Sequence, residues 1–133
     1  MGYARQIVAL YDRTSPLDPT LLGDALDALN DCIQACIADT DADLREKDLA
    51  DMVRCIRLCL HCTDVCAAAA GVLSRPAEYD AKVLRPLLES CVAICKSCGD
   101  ECERHTHEEH CRICAEACRR CESACRKLLG AIR

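Results

Sequence analysis

Residues Cys111–Cys125 read CRICAEACRRCESAC and place five cysteines in fifteen residues. The gaps between successive thiols are three, four, three and four. That is the spacing of the buried stripe of an amphipathic helix, with sulfur at the positions where leucine is usual. A strand would need apolar residues to alternate by two, and the stretch does not. The segment reads as a helix with one sulfur face.

The same rhythm recurs upstream. Cys55, Cys59, Cys62 and Cys66 are spaced by four, three and four, and Cys91, Cys95, Cys98 and Cys102 repeat that pattern. Cys32 and Cys36 make a shorter pair, and Cys111, Cys114, Cys118, Cys121 and Cys125 close the set of fifteen. At about 100° per residue, the two middle sets each fall within roughly 60° of arc and the last within roughly 80°. Every cysteine belongs to a stripe, and the connections hold none.

Turn signals separate the stripes into rods. Tyr3 to Arg13 is a short amphipathic stretch ending at Thr14-Ser15-Pro16. Asp18-Pro19 has the form of an N-cap followed by proline in the first turn, so a first bundle helix is expected from there to about Asp39. Asp39 to Asp43 reads as a connection, with the second bundle helix from about Leu44 to Leu73. Ser74-Arg75-Pro76 breaks it. The third runs from about Pro76 to Arg104, with Pro86 either kinking it or marking its start. His105 to Glu109 is the last connection, and the fourth helix reaches about Gly130. The expected fold is all-α: an up-down-up-down four-helix bundle with a short additional N-terminal helix.

A chain of 133 residues is the size of one domain, here residues 1–133. It has no Phe or Trp, so Leu, Ala, Ile, Val and Cys must fill the interior. A net charge of −5 without a basic block argues against nucleic acid. The start MGYARQIVALYDRTS lacks the features of a secretory signal, and no charge-free apolar run is long enough to span a bilayer. These features point to a cytosolic chain, where thiols stay reduced, with no membrane partner. Fifteen is an odd number, so complete internal pairing into disulfides is impossible. No Ser–His–Asp set, Gly-rich phosphate loop or acid/base pair suggests an enzyme.

Cysteine can serve as a small core hydrophobe, but fifteen thiols give less burial energy than leucines would. Metal binding is the stronger reading. Thiolates at i and i+3 or i+4 face the same way and can share an ion. Zinc prefers four tetrahedral ligands and would make only three or four such sites here. The C-x₂-C-x₂-C run of iron–sulfur proteins is absent, as is CxxCH. Cu(I) is soft and univalent, so about one ion per thiolate leaves a buried column neutral. The leading reading is a store of many Cu(I) ions, filled with copper and emptied to an accepting protein or small-molecule chelator. A metallothionein-like buffer for zinc or mixed metals is one alternative. A thiol redox sensor is another, and it would need a few exposed, low-pKa cysteines.

Extending the stripes predicts two unlike ends. Leu22, Leu29, Leu73, Leu84, Leu88, Leu128 and Ile132 converge at one level as an aliphatic plug. Asp39, Met52, His105, His107 and His110 converge at the other, where an ion could enter. His107 is in phase with Cys111 and is favoured as a ligand, while His105 and His110 lie toward the rim of their stripes. Met52, one turn before Cys55, offers a thioether. His61 points away from Cys59 and Cys62 and reads as surface. Asp39, Asp43 and Asp48 can attract cations electrostatically, but helix-end carboxylates usually serve as caps or remain solvated, and they are read so here.

The CxxxCxxCxxxC of Cys55 to Cys66, its copy at Cys91 to Cys102, and HxxHCxxCxxxCxxCxxxC at His107 to Cys125 resemble the bacterial four-helix-bundle copper storage proteins, in their cytosolic branch. The similarity covers nearly the whole chain from the first bundle helix onward. It implies Cu(I) bound by cysteines lining the core, histidines near an open mouth, a homotetramer, and a short extra N-terminal helix matching Tyr3 to Arg13. The exported branch is less similar, because no twin-arginine signal is present here. A second apolar face at Val53, Ile56 and Leu60, with Val92 and Ile94, is available to pack the N-terminal helix or another subunit.

Overall fold

A computed structural model describes residues 2–10 and 17–132. Among these residues there are helices and no strands. The elements are α1 (Tyr3–Ala9), α2 (Pro19–Asp43), α3 (Leu49–Leu73), a 3₁₀ turn (Pro76–Glu78), α4 (Ala81–Glu103) and α5 (Glu109–Ala131). α2 packs on α3 and α5, and α4 packs on the same two, which closes a ring of four antiparallel rods. α1 lies against α2. The expected bundle is therefore the observed one. Tyr11 to Arg13 and the Thr14-Ser15-Pro16 break lie outside the described residues.

Local chemistry sets the starts of the rods. The Asp18 carboxylate accepts from the Leu21 N–H at 2.9 Å with Pro19 in the first turn, as the sequence predicts. Asp80 does the same for α4, accepting from the Lys82 N–H at 2.9 Å. Pro86 lies inside α4, so it does not mark the start. The helix begins five residues later than Pro76, after the 3₁₀ turn.

The first connection differs from expectation. α2 runs through Asp39 to Asp43, and the link is residues 44–48. Aspartate is a modest helix former, which argues locally for an ending. Tertiary contacts win instead: Asp39 and Asp43 are buried and take hydrogen bonds from thiols on neighbouring helices. α3 consequently begins at Leu49 rather than near Leu44.

One continuous core joins all four rods. Its closed end is the plug foreseen above: Leu22, Leu29, Leu73, Leu84, Leu88, Leu128 and Ile132 are all buried, joined by Leu26. α1 is pinned beside this end by Arg5, whose Nη1 lies 2.7 Å from Asp24 and 3.1 Å from Asp27. Gly23 admits the arginine, since a Cβ there would stand 2.7 Å from its Nε. α3 is long and apolar enough, by length and composition, to cross a membrane. In the bundle, its cysteines and Met52 face the core and Val53 and Leu60 remain exposed.

Candidate metal centre

All fifteen cysteines are free, and none is more than 1% exposed. The stripes of α2 to α5 turn inward because any other phase would put leucines of the same stripes into water. Their sulfurs form a linked lattice. Cys32 Sγ lies 3.7 Å from Cys62 and 3.9 Å from Cys118. Cys66 is 3.6 Å from Cys95, and Cys62 is 3.8 Å from each of them. Nearer the other end, Cys36 is 3.8 Å from Cys114, Cys59 is 3.7 Å from Cys98, and Cys55 is 3.8 Å from Cys102. Cys121 and Cys125 interact with each other beside Cys91, toward the plug.

These contacts group into four-donor sets that share members. Cys32, Cys62, Cys66 and Cys95 form one; Cys32, Cys36, Cys62 and Cys118 the next; Cys36, Cys59, Cys98 and Cys114 the third. Within each set the donor atoms lie within 4.8 Å of one another. A metal–thiolate bond is about 2.3 Å, taking zinc as the scale, so each such pair of sulfurs can straddle one ion. Because Cys32, Cys36 and Cys62 each belong to two sets, one sulfur can bridge ions in successive layers. This connectivity has the form a column of bridged ions needs.

Charge decides the metal-free state. Burial opposes thiolate formation, and neighbouring thiolates a few ångströms apart repel. Cys111 shows this directly: burial pushes its thiol up, and Asp39 and Asp43 beside it push further. A cation bound at such a buried thiol displaces its proton.

The mouth is where sequence reasoning and structure part. The thiols of Cys55, Cys59 and Cys102 donate to Asp39 Oδ2 at 3.7, 3.7 and 3.8 Å. Cys111 donates to Asp43 Oδ1 at 3.5 Å. Asp39 was expected at this end of the stripes, but both aspartates were read as caps or solvated groups, and they are 2% and 0% exposed. Burial raises Asp39 to about 7, although the hydrogen bond from His110 works the other way. Burial also raises Asp43. A signal for this existed: Cys32, Cys36, Asp39 and Asp43 keep the four, three, four spacing of the α3 and α4 stripes.

The three candidate mouth histidines separate. His110 Nδ1 lies 2.6 Å from Asp39 Oδ1 and 3.5 Å from Cys111 Sγ, while its Nε2 lies 2.8 Å from Glu46 Oε1. Burial disfavours its charge, but Asp39 and Glu46 outweigh that and raise its pKa. His105 is held by Glu101 at 2.7 Å. His107 is 70% exposed, with Nε2 3.8 Å from Glu108. His105, His107 and the buried Met52 line an open vestibule of about 780 Å³ with Glu101, Arg54 and Arg104. His61 is on the surface, as read from its phase.

Comparison with known proteins places the chain in one family. A model of the family "Copper storage protein" matches residues 19–130. The chain belongs to the copper storage protein family. The copper storage protein Ccsp of Streptomyces lividans, solved with 10 copper equivalents, is 43% identical, covers 97% of this chain and 99% of its own, and superposes with a TM-score of 0.92. A second structure, of the cytosolic copper storage protein of the same organism with five coppers, is 48% identical over 86% of this chain and 96% of its own, with a TM-score of 0.83. An uncharacterized cysteine-rich protein of Bacillus subtilis, YhjQ, is 34% identical over 91 residues, covering 68% of this chain and 80% of that protein.

Proposed function

We propose that this protein is a cytosolic copper store that holds many Cu(I) ions on the thiolates of its bundle core. The observation that carries the reading is the shared membership of the four-sulfur sets, which joins nine of the fifteen buried thiols into one lattice that ions can bridge. Cu(I) suits it because a soft univalent ion matches each thiolate in both affinity and charge. Burial of every cysteine argues against a redox sensor, whose reactive thiols must be reached by oxidant. Storage of this kind needs no catalysis.

Ions enter at the mouth and not at the plug. On this reading Met52, His105 and His107 line the approach, and His110 with Cys111 begins the column. The fifteen cysteines are the main ligands, with Met52, His105, His107 and His110 as secondary ones, all within a single storage domain. Release to a copper-accepting protein or small-molecule chelator uses the same opening. Val53 and Leu60 on α3 stay exposed, as do Ile37 and Ile113, which supports assembly into a homotetramer; light scattering of the purified protein tests it.

Anaerobic titration of the reduced apoprotein with Cu(I), against a competing chelator, tests storage itself. Saturation near one ion per cysteine, about fifteen per chain, is expected. Saturation after one or two equivalents would exclude it.

A further inference from the structure

The donors change character where the column meets the vestibule. Every position of the α3 and α4 stripes from Cys55 to Cys66 and from Cys91 to Cys102 is sulfur, but α2 places Asp39 and Asp43 at the corresponding last two positions. Carboxylate oxygen is a hard donor that a Cu(I) store has little use for. We propose that the mouth carries a separate site for a single divalent cation of the zinc class, built from Cys111, Asp43 and His110 with Asp39 as the fourth donor.

Three observations converge on it. The first is a triangle of unlike donors. Cys111 Sγ, Asp43 Oδ1 and His110 Nδ1 are mutually 3.5 Å apart. Zinc bonds of about 2.3 Å to sulfur and about 2.0–2.1 Å to nitrogen and oxygen place tetrahedral ligands roughly 3.3–3.6 Å from one another. The triangle is thus one face of a zinc tetrahedron, formed before any ion arrives. Asp39 Oδ1, 2.6 Å from His110 Nδ1, exchanges that hydrogen bond for the remaining metal bond.

Support behind the ligands is the second. His110 Nε2 faces Glu46 Oε1 at 2.8 Å. With Nε2–H donating to that carboxylate, Nδ1 is left with its lone pair toward the ion, the carboxylate–histidine–metal arrangement of zinc sites. In the metal-free form the proton that the ion replaces sits on Nδ1 and is donated to Asp39. Cys111 gives up its thiol proton as well, so binding releases protons to solvent.

The third is an unmet need. Asp43 Oδ2 is the single buried side-chain oxygen or nitrogen without a hydrogen-bond partner among the described residues. A fully buried carboxylate with one bare oxygen is costly, and a cation on its other oxygen, Oδ1, offsets the buried charge of the group. Charge selects which cation. Asp39, Asp43 and the Cys111 thiolate carry three negative charges; a divalent ion leaves one uncompensated, whereas Cu(I) leaves two. Zinc and copper would compete for Cys111, so this site and a filled outer column exclude each other.

Titration of reduced, metal-free protein with Co²⁺ as a visible probe, followed by Zn²⁺, tests the site without any copper present. One equivalent of Co²⁺ per chain is expected, with the intense visible bands of a four-coordinate ion and a thiolate charge-transfer band, all lost as Zn²⁺ displaces it. Asp43→Asn weakens Zn²⁺ binding at least 10- to 100-fold, and Glu46→Gln by about 10-fold, the usual effect of losing a histidine's supporting carboxylate. His61→Ala, on the outer surface, leaves the cobalt spectrum unchanged. A pale six-coordinate spectrum would overturn the proposal. So would uptake of several equivalents that Asp43→Asn and Glu46→Gln leave at full affinity, since the ions would then lie among the thiols. Should Asp43→Asn not fold, Glu46→Gln decides. Cu(I) capacity measured on the same preparation separates failure of this site from failure of the store.

Discussion

The two ends of the bundle are built from the same four rods and behave as opposites. The plug end closes on leucines contributed by every rod, all buried and without a polar atom among their side chains. The mouth end closes on Asp39, Asp43, His110 and Cys111, each buried or half-buried and joined by hydrogen bonds. Aliphatic packing is strong, undirected and offers a cation nothing. The polar end costs stability, because burying carboxylates is unfavourable, but it offers donors. The asymmetry gives the column one end that carries metal donors and one that carries none.

The largest expected effect breaks the plug. Leu88→Ala removes a fully buried side chain and lowers the unfolding free energy of the apoprotein by about 2–5 kcal/mol, read by denaturant titration, while Cu(I) capacity is retained. Cys98→Ala in the column does the reverse: it costs only about 1 kcal/mol, since a single small group is lost, but Cu(I) capacity drops.

The pH response sharpens the contrast from the mouth side. Asp39 has its pKa raised from 3.8 to about 7 by burial, so folding favours its protonated form. That stability is fully present below the ordinary carboxylate value and is lost as pH rises through about 7. Asp43 and His110 are also raised and act in the same direction. Asp100, Glu103 and Glu109 are lowered beside arginines and gain their stability near pH 4, so they do not cancel the loss above pH 5. At about 1.4 kcal/mol per pKa unit, the thermal midpoint of metal-free protein should fall clearly from pH 5 to pH 8, and Asp39→Asn should flatten the curve. A midpoint that rises over this range would contradict the burial of Asp39.

A kinetic comparison isolates the opening. His110→Ala should slow uptake of the first Cu(I) equivalents by roughly 10-fold, the scale set by losing one group at a metal site, whereas His61→Ala on the outer surface should change nothing; stopped-flow mixing with a Cu(I) chelate reads both. The smallest effect concerns α1. Gly23→Ala displaces Arg5 but improves helix propensity, so global stability should move by less than about 1 kcal/mol. Hydrogen exchange at Tyr3–Ala9 should nevertheless accelerate.

Much of this architecture is legible in the sequence because sulfur marks helical phase unambiguously. Cys55, Cys59, Cys62 and Cys66 can face one way only on a helix, and the plug leucines lie on the same lines extended. The residues that escaped are those whose state depends on other helices. The spacing of Cys32, Cys36, Asp39 and Asp43 puts Asp39 in phase with the stripe, but its low helix propensity suggested an ending, and only the packed helices show thiols of α3 and α4 donating to it. His107 is a lesson in reach. It is in phase with Cys111, but α5 begins at Glu109, and helical phase does not carry into a turn. Its ring stands in solvent while His110, set toward the rim by phase, reaches Asp39 and Cys111.

The central claim is that bridging thiolates hold a column of Cu(I) along the bundle axis, and anomalous diffraction at the copper edge from crystals of the loaded protein tests it most directly. Copper peaks should run between the sulfurs from Cys111 toward Cys125, each close to two or more cysteines and many of them sharing one. Peaks confined to surface histidines and carboxylates, with the axis empty and the thiols unligated, would contradict it.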